Sequence, residues 1–226
     1  MVYENADYGF FLGSLTNFNQ CRVVVEVGVM QGDTTNFLCE AVKPYNGHVY
    51  GFDMWDIHGL WNQFPSYSTK EKVEHDLKSK GHDNFTLTKI NTKTQEFKDK
   101  INEMCPKIDL AFIDACHSYD GIKNDFDIIW PHMVHDGIVC FHDTTVIDGC
   151  REFVLDLRTK FNDNSFDLME FTFGNGSRRC GLTVLKKRSF EHGVKIDEIC
   201  GSPSKPEEIY KKEHEWLNSE LSKCKV

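Results

Sequence analysis

A strand-to-helix turn near the N-terminus constrains the fold of this chain more than any other feature. The stretch from Val23 to Val27 is mainly β-branched, which is typical of a buried strand. Gly28 and Gly32 follow and allow a tight turn whose backbone can approach a ligand closely, and the stretch from Thr34 onward can open a helix. This order predicts an open α/β sheet with a ligand site at the carboxyl end of the strand.

The spacing of the glycines indicates which ligand the turn receives. The dinucleotide pattern Gly-x-Gly-x-x-Gly and the phosphate loop ending in Gly-Lys-Ser/Thr are both absent, which disfavours pyrophosphate and triphosphate. Glu26 precedes the first glycine, and a carboxylate suits the positive end of a methionine-like ligand better than a phosphate, because like charges repel. The pattern Glu/Asp-x-Gly-x-x-x-Gly resembles the first motif of class I S-adenosylmethionine (SAM) dependent methyltransferases. The alternative is a plain tight turn in another kind of α/β protein.

Composition narrows the class of protein and of partner. A chain of 226 residues with 40% hydrophobic content can form one α/β domain with a substantial core. The net charge of −9 argues against a general nucleic-acid binder and favours small substrates. The nine cysteines are dispersed without a Cys-x-x-Cys pair, which predicts reduced thiols in the cytoplasm. We find no signal peptide and no membrane-spanning stretch in the sequence, so a membrane partner is not expected.

A second acid follows the next predicted strand. Asp53 ends the strand that begins near Gly47, where a carboxylate can accept hydrogen bonds from both hydroxyls of a ribose. Met54 and Trp55 could cover an adenine ring beside it. The alternative for Asp53 is a turn residue at the strand end. The aromatic stretch 56–68 is interpreted as a lid or substrate loop, or as a loop whose aromatic side chains pack down.

Two further predicted strands end in the same way. Asp114 follows the apolar stretch 108–113, and Asp143 follows the strand that begins at Gly137. Parallel strands therefore present Asp114 and Asp143 at the same edge as Glu26 and Asp53. Two converging carboxylates repel unless one is protonated or a cation lies between them, and oxygen ligands favour magnesium, manganese or calcium over zinc.

The residues around these acids resemble a known group of enzymes. Ile-Asp-x-x-His-Ser-Tyr-x-Gly, from residue 113, and Asp-Gly-Ile-Val-x-x-His-Asp, from residue 136, are similar to motifs of antibiotic-sugar O-methyltransferases and cephalosporin-hydroxylase-like proteins, over about residues 22–188. This resemblance implies a Rossmann-like class I methyltransferase fold of the α/β class. Its mostly parallel, seven-stranded sheet has an antiparallel last strand and helices on both faces. The resemblance also implies that Asn91 and Thr92 lie near the adenine of SAM.

A more distant resemblance, to the metal-dependent catechol and caffeoyl-CoA O-methyltransferases, suggests residue roles. It implies that Asp114, Asp143 and Thr144 bind Mg²⁺ or Mn²⁺, with threonine in place of the usual asparagine, and that Asp114 also borders the cofactor. The catalytic lysine of the catechol enzymes corresponds to His117, whose ordinary pKa suits a general base at neutral pH. His142 is considered secondary, because neighbours along an extended strand point to opposite sides.

The remaining stretches are interpreted without a catalytic role. Residues 1–20 are predicted to form a helical segment that covers the sheet or the substrate pocket, residues 21–188 the SAM-binding domain, and residues 189–226 a tail with a packing or dimer helix, which leaves a homo-oligomer open. His132 and His135 precede the fifth strand, at the edge opposite the acids, and are interpreted as solvated loop residues.

Together these patterns predict a SAM-dependent methyltransferase that O-methylates a small hydroxylated metabolite such as a sugar with the help of a divalent metal. The substrate hydroxyl would attack the methyl group of SAM while His117 takes its proton. One alternative is a SAM-binding partner or scaffold protein without transferase activity. The other is a metal-independent methyltransferase that acts on a different acceptor.

Overall fold

The computed structural model describes residues 6–55, 68–172, 180–188 and residue 215. Its helices are α1 (Ala6–Phe18), α2 (Asp33–Val42), α3 (Lys70–Ser79), α4 (Gln95–Met104), α5 (Tyr119–Ile129) and α6 (Asp148–Thr159), with short 3₁₀ turns at Lys43–Tyr45 and Trp130–His132. Its strands are β1 (Val23–Val27), β2 (His48–Asp53), β3 (Phe85–Lys89), β4 (Ile108–Ile113), β5 (Met133–His142), β6 (Phe166–Phe171) and β7 (Leu182–Lys187). No helix among these residues has the length and apolar character needed to cross a membrane.

The strands form one seven-stranded sheet in the order β3-β2-β1-β4-β5-β7-β6. β1 to β5 run parallel, and β7 runs antiparallel to both of its neighbours. The predicted mostly parallel sheet with an antiparallel last strand is confirmed. The strand order reverses between β1 and β4, and a ligand crevice is expected outside the carboxyl ends of the strands at such a reversal.

Helices cover both faces of the sheet because the central strands are apolar on both sides. Val25 and Val27 pack into a cluster with apolar side chains of α4, α5 and α6, whereas Val24 packs on the opposite face with side chains of α1 and α2. α3 covers the edge of the sheet through a third cluster, which contains Val73 and Leu77. The packed sheet is therefore a rigid scaffold, and the loops that follow the carboxyl ends of its strands can form a ligand site.

Some predicted boundaries shift in the structure. α5 begins at Tyr119 rather than at Ile122, because the Ser118 hydroxyl accepts a hydrogen bond from the Gly121 amide at 3.1 Å and caps the helix. β5 begins at Met133, which pairs with Ile108, so the prediction that His135 lies in a loop before the strand is wrong.

Other predicted features lie outside the described residues. They are the aromatic stretch 56–67, the turn at 174–177 and all but one residue of the C-terminal tail. Contacts divide the chain into two units, Met1–Arg188 and Ser189–Val226, and only Glu215 of the second unit is described.

Candidate active site

The turn after β1 connects three strands at the reversal of the sheet. The Gly28 amide donates to the Phe52 carbonyl at 2.8 Å, and the Asp114 amide donates to the Val27 carbonyl at 2.7 Å. Gly28 has a φ of +95°, and a Cβ placed there would lie 2.1 Å from the Asp114 carbonyl oxygen. Gly32 has a φ of +82°, and its Cβ would lie 2.6 Å from a methyl group of Val73. Both positions therefore require glycine. A close approach of the backbone to a ligand would impose the same requirement.

Asp53 holds this turn in shape. One carboxylate oxygen accepts hydrogen bonds from the amides of Val29 at 2.9 Å and Met30 at 2.8 Å, and the other accepts from the Trp55 amide at 2.7 Å. The second oxygen has a further lone pair with which a ribose hydroxyl could bond. The Trp55 ring is buried, and its indole N–H donates to the Met30 carbonyl at 3.0 Å. Met54 is 44% exposed, so Met54 rather than Trp55 presents an apolar surface beside Asp53.

Glu26 is a buried acid, and only one of its two carboxylate oxygens has a hydrogen-bond partner among the described residues. Its side chain is only 1% exposed, and Oε2 accepts a 2.5 Å hydrogen bond from the Thr35 hydroxyl. Oε1 has no hydrogen-bond partner among the described residues. Burial raises the pKa of Glu26 to about 8, although the Thr35 hydroxyl acts in the opposite direction. A buried carboxylate oxygen without a partner is costly, so Glu26 fits a cationic group such as the ammonium of a methionine moiety.

The loop after β3 is anchored from α5. Thr92 is buried, its carbonyl accepts a 2.9 Å hydrogen bond from the Asn124 amide group, and its hydroxyl bonds to Asp125. Asn91 is exposed, and its side-chain oxygen accepts from the Lys93 amide at 3.0 Å. This loop follows β3, which pairs with β2, so it lies at the same edge as Asp53. The role of Asn91 and Thr92 beside an adenine stays a prediction.

Two acids and two histidines meet at the ends of β4 and β5. We call Asp114, His117, His142 and Asp143 the acid–histidine cluster. Nε2 of His117 lies 3.1 Å from Oδ1 of Asp114 and 3.4 Å from Oδ2 of Asp143. Nδ1 of His142 lies 3.2 Å from Oδ1 of Asp114 and 3.6 Å from Oδ1 of Asp143. Each imidazole therefore lies beside both carboxylates.

The charges in the cluster stabilise one another. Burial alone would raise the pKa of Asp114, but His142 and His117 outweigh it and hold that pKa at about 2. The hydrogen bond to Asp114 raises the pKa of His117 above its ordinary value. Burial opposes protonation of His142, yet Asp114 and Asp143 outweigh it and raise that pKa as well. The cluster thus keeps Asp114 ionised while its imidazoles carry positive charge more readily than usual.

The assumption that directed the His142 side chain away from that of Asp143 is wrong. The prediction assumed that extended backbone continues through Asp143, so that adjacent side chains diverge. β5 ends at His142, and Asp143 has a φ of +58°, in the left-handed region. The chain turns there, so the His142 side chain lies beside the carboxylates of both Asp114 and Asp143.

The sequence and fold were compared with known proteins. A family model described as "Methyltransferase domain" matches residues 25–144, which is more than half of the chain. The chain belongs to this methyltransferase family. The matched span runs from β1 to the residue after Asp143, and it therefore contains every element of the site described above. The prediction of a class I, SAM-dependent methyltransferase is confirmed. A search of curated proteins gives no significant match.

Solved structures with the same fold include other methyltransferases. The O-methyltransferase TomG from Streptomyces achromogenes, in complex with SAM, is 15% identical over 82% of this chain and 81% of that chain, with a TM-score of 0.66. An O-methyltransferase from Bacillus cereus, in complex with SAH, is 13% identical over 81% and 82%, with a TM-score of 0.64. An rRNA methylase from Streptococcus thermophilus is 16% identical over 79% and 95%, with a TM-score of 0.58. At these identities the similarity shows the fold alone.

Two groups of donor atoms in the described part of the methyltransferase could hold a metal ion. The first is Asp114, His117 and Asp143, and the second is His142, Asp143 and Cys180; within each group one donor atom per residue lies within 4.8 Å of the others. Thr144, the third ligand expected from the sequence, is buried, and its oxygen accepts a 3.0 Å hydrogen bond from the Thr183 hydroxyl. Thr144 as a ligand stays a prediction.

One residue of α1 also reaches the methyltransferase site. The Tyr8 ring packs on the His142 ring with centroids 4.5 Å apart, and its hydroxyl bonds to the side chain of Thr34. Burial raises the pKa of Tyr8 well above its ordinary value. The sequence offered one signal for it: Tyr8 lies four residues before the buried Leu12, on the same side of the helix. The sequence interpretation missed Cys180 and Tyr8, and it gave His142 only a secondary place.

Proposed function

We propose that this methyltransferase uses SAM to O-methylate a small hydroxylated metabolite such as a sugar, with the help of a divalent metal. One observation supports the proposal: Asp114 borders both the turn after β1 and the other members of the acid–histidine cluster. Its backbone packs against Gly28 of the cofactor turn, while its carboxylate lies with donors of His117 and Asp143 within 4.8 Å. A cofactor and a metal-bound acceptor would therefore be neighbours.

The residues that would hold SAM surround the turn after β1. Glu26 offers its unpaired Oε1 to the methionine ammonium, Asp53 has capacity left for the ribose, and Met54 presents an exposed apolar side chain for the adenine, which Asn91 and Thr92 would border. When bound, SAM supplies a methyl group that a nucleophile can attack. A cationic ligand beside Glu26 would offset the cost that burial imposes on its charge and would favour its ionised form.

A divalent ion would be held by the carboxylates of Asp114 and Asp143, with His117 or Thr144 as further contacts. Oxygen-rich donor sets of this kind suit Mg²⁺ or Mn²⁺. When bound, such an ion lowers the pKa of an acceptor hydroxyl and orients it. The two acids are partly buried, with side chains 19% and 14% exposed, so both keep some contact with solvent.

His117 is proposed as the group that takes the hydroxyl proton. Its Nε2 bonds to Oδ1 of Asp114, which leaves Nδ1 as the nitrogen with a free lone pair in the neutral imidazole. The carboxylate then stabilises the imidazolium that forms. The raised pKa of His117 makes it a better proton acceptor than an isolated imidazole, but it is ready to act only at a pH above that raised value.

A second candidate is metal-independent methyl transfer. The two imidazoles already lie between the two carboxylates, so positive charge from the protein can neutralise the acids without a bound ion. His117 would then remove the proton by itself. A methyl acceptor other than a hydroxyl would fit this arrangement equally well.

The acceptor is proposed to be a small molecule rather than RNA. The net charge of −9 opposes the approach of a polyanion. A location in the cytoplasm and assembly into a homo-oligomer stay predictions from the sequence.

The test is methyl transfer from labelled SAM to a panel of sugars, phenols, amines and carboxylic acids, with RNA as a further substrate. We expect labelled product from a hydroxylated compound, loss of product in EDTA, and recovery with Mg²⁺ or Mn²⁺. Full activity in EDTA would support the metal-independent candidate. SAM binding by calorimetry without any product across the panel would favour a SAM-binding partner protein, and absence of SAM binding would contradict the proposal altogether.

A further inference from the structure

We propose that His142, Asp143 and Cys180 form a second binding position, for a thiophilic divalent ion of the zinc class. One donor atom from each of the three residues lies within 4.8 Å of the other two. The combination of an imidazole, a carboxylate and a thiol differs from the donors around Asp114, where the sequence pointed to magnesium or manganese. This position does not depend on the proposed methyl-transfer reaction.

The antiparallel pairing of β5 with β7 brings these residues together. His142, the last residue of β5, pairs with Leu182, the first residue of β7. The chain beyond β5 therefore runs alongside the chain before β7, and the Thr145 amide donates to the Cys180 carbonyl at 3.0 Å. Gly181 has a φ of +78°, and a Cβ there would lie 2.0 Å from the Thr145 hydroxyl oxygen, so the two segments are in close contact. The backbone thus holds the thiol near His142 and Asp143.

The donor set determines which ion fits. A thiolate and an imidazole favour zinc and related borderline ions over magnesium, which prefers oxygen ligands. Three protein ligands leave a fourth tetrahedral position for water, as in catalytic zinc sites. All three residues are partly exposed, so an ion can reach them from solvent, and its binding would displace the thiol proton.

Asp143 connects this position with the one around Asp114. Its Oδ2 lies 3.4 Å from His117, whereas its Oδ1 lies 3.6 Å from His142. The two carboxylate oxygens therefore face the two donor groups. Ions at the two positions would be coupled through this shared carboxylate, and a thiophilic ion would change the affinity of the first position for magnesium or manganese.

Cobalt(II) is a suitable probe because a thiolate ligand gives it a charge-transfer absorption band in the near ultraviolet. We expect the full-length, reduced protein to bind about one equivalent of cobalt with this band. Zn²⁺ should displace the cobalt, whereas excess Mg²⁺ should not. Cys180→Ser should remove the band and weaken cobalt binding by about a hundredfold or more, since even groups that only orient a metal ligand cost about 10–100-fold when they are mutated.

Matched variants separate this position from other thiols and from the first donor group. Cys116→Ser removes a partly exposed thiol elsewhere, and Cys200→Ser with Cys224→Ser removes the two thiols outside the described residues. Both changes should keep the band, and so should His117→Ala. A band that survives Cys180→Ser, or wild-type protein without a band, would overturn the proposal.

A measurement on the wild-type protein avoids dependence on how Cys180→Ser folds. Zn²⁺ should slow the alkylation of Cys180 by iodoacetamide, whereas the rate of alkylation of Cys116 should not change. Mass spectrometry of the digested protein measures both rates. Equal rates at Cys180 with and without Zn²⁺ would contradict the proposal.

Discussion

Two groups of acids at the same edge of the sheet have opposite electrostatic surroundings. Glu26 is buried with one hydroxyl as its hydrogen-bond partner, and its pKa rises to about 8. Asp114 lies between two imidazoles, and its pKa falls to about 2. Glu26 lies near the end of β1 and Asp114 directly follows β4, two neighbouring apolar strands, so the charge of an acid near a strand end depends on what packs against it. Position in the strand alone does not determine it.

This difference suggests a division of labour within the methyltransferase. Glu26 is held in a form that gains its charge when a cationic ligand arrives, which suits a cofactor that binds and leaves. Asp114 is held ionised beside two imidazoles, and Asp143 lies beside the same imidazoles, an arrangement that suits metal binding or proton transfer.

The largest effect is expected for Asp143→Ala. We expect turnover to fall by about a thousandfold or more, because a charged group that holds the ion or stabilises the imidazoles is lost. SAM affinity, measured by calorimetry, should stay within about twofold of wild type, since Glu26 and the glycine turn are intact. Asp127→Ala is the matched control, an exposed acid on α5 whose loss should leave both quantities unchanged. A large loss of SAM affinity in Asp143→Ala would show that the two regions are not separable.

His117→Ala should lower turnover by about 10²–10⁴, the range typical of a general base. In wild type we expect the rate to fall as pH drops through the raised pKa of His117, and this acid limb should disappear in the variant, with partial recovery at high pH as the hydroxyl ionises by itself. Rates from pH 5 to 10 measure this. His135→Ala, an exposed histidine at the opposite edge, should show the wild-type profile. Weakened Mn²⁺ binding in His117→Ala with no change in the pH profile would make His117 a ligand instead of a base.

Glu26→Gln should weaken SAM binding by about 10–100-fold and leave turnover at saturating SAM nearly unchanged, because a charge-assisted hydrogen bond to the cofactor is replaced by a neutral one. SAM affinity of wild type should rise as pH increases toward about 8, where Glu26 ionises, whereas the variant should lack this dependence. Calorimetry from pH 6 to 9 measures both. Glu40→Gln, an exposed acid on α2, serves as the control. Equal SAM affinity in Glu26→Gln and wild type would remove Glu26 from the cofactor site.

The smallest effects concern the stability of the unliganded protein, and they should have opposite signs. The raised pKa of Glu26 means that its protonated form stabilises the fold below pH 4.5 and that this contribution is lost as pH rises through about 8. The lowered pKa of Asp114 gives a contribution that is present above pH 3.8 and lost as pH falls toward about 2. We therefore expect Glu26→Gln to stabilise the fold at pH 9, where the buried Glu26 is ionised, and Asp114→Asn to destabilise it at pH 6, where the neighbouring imidazoles carry charge, each by about 1–2 kcal/mol in urea unfolding. Changes of the same sign would contradict the contrast.

The sequence determined the framework of the site because the relevant signals are local. A β-branched run followed by glycines predicts a strand and a turn, and an apolar strand that stops at an acid places that acid at the carboxyl edge of a parallel sheet. Glu26, Asp53, Asp114 and Asp143 could therefore be placed at one edge of the sheet from the sequence alone. His117 could be placed beside Asp114 because it lies only three positions further along the chain.

Tertiary structure decided the partners and the charge states, because they depend on backbone turns and on segments distant in sequence. The φ of +58° at Asp143 turns the chain so that His142 reaches Asp114, 28 residues away. The pairing of β5 with β7 brings Cys180 beside the same residues. Burial under neighbouring elements raises the pKa of Glu26, whereas two imidazoles lower that of Asp114. Hydropathy and spacing record none of these contacts, since packing and solvent exclusion arise only when the elements assemble.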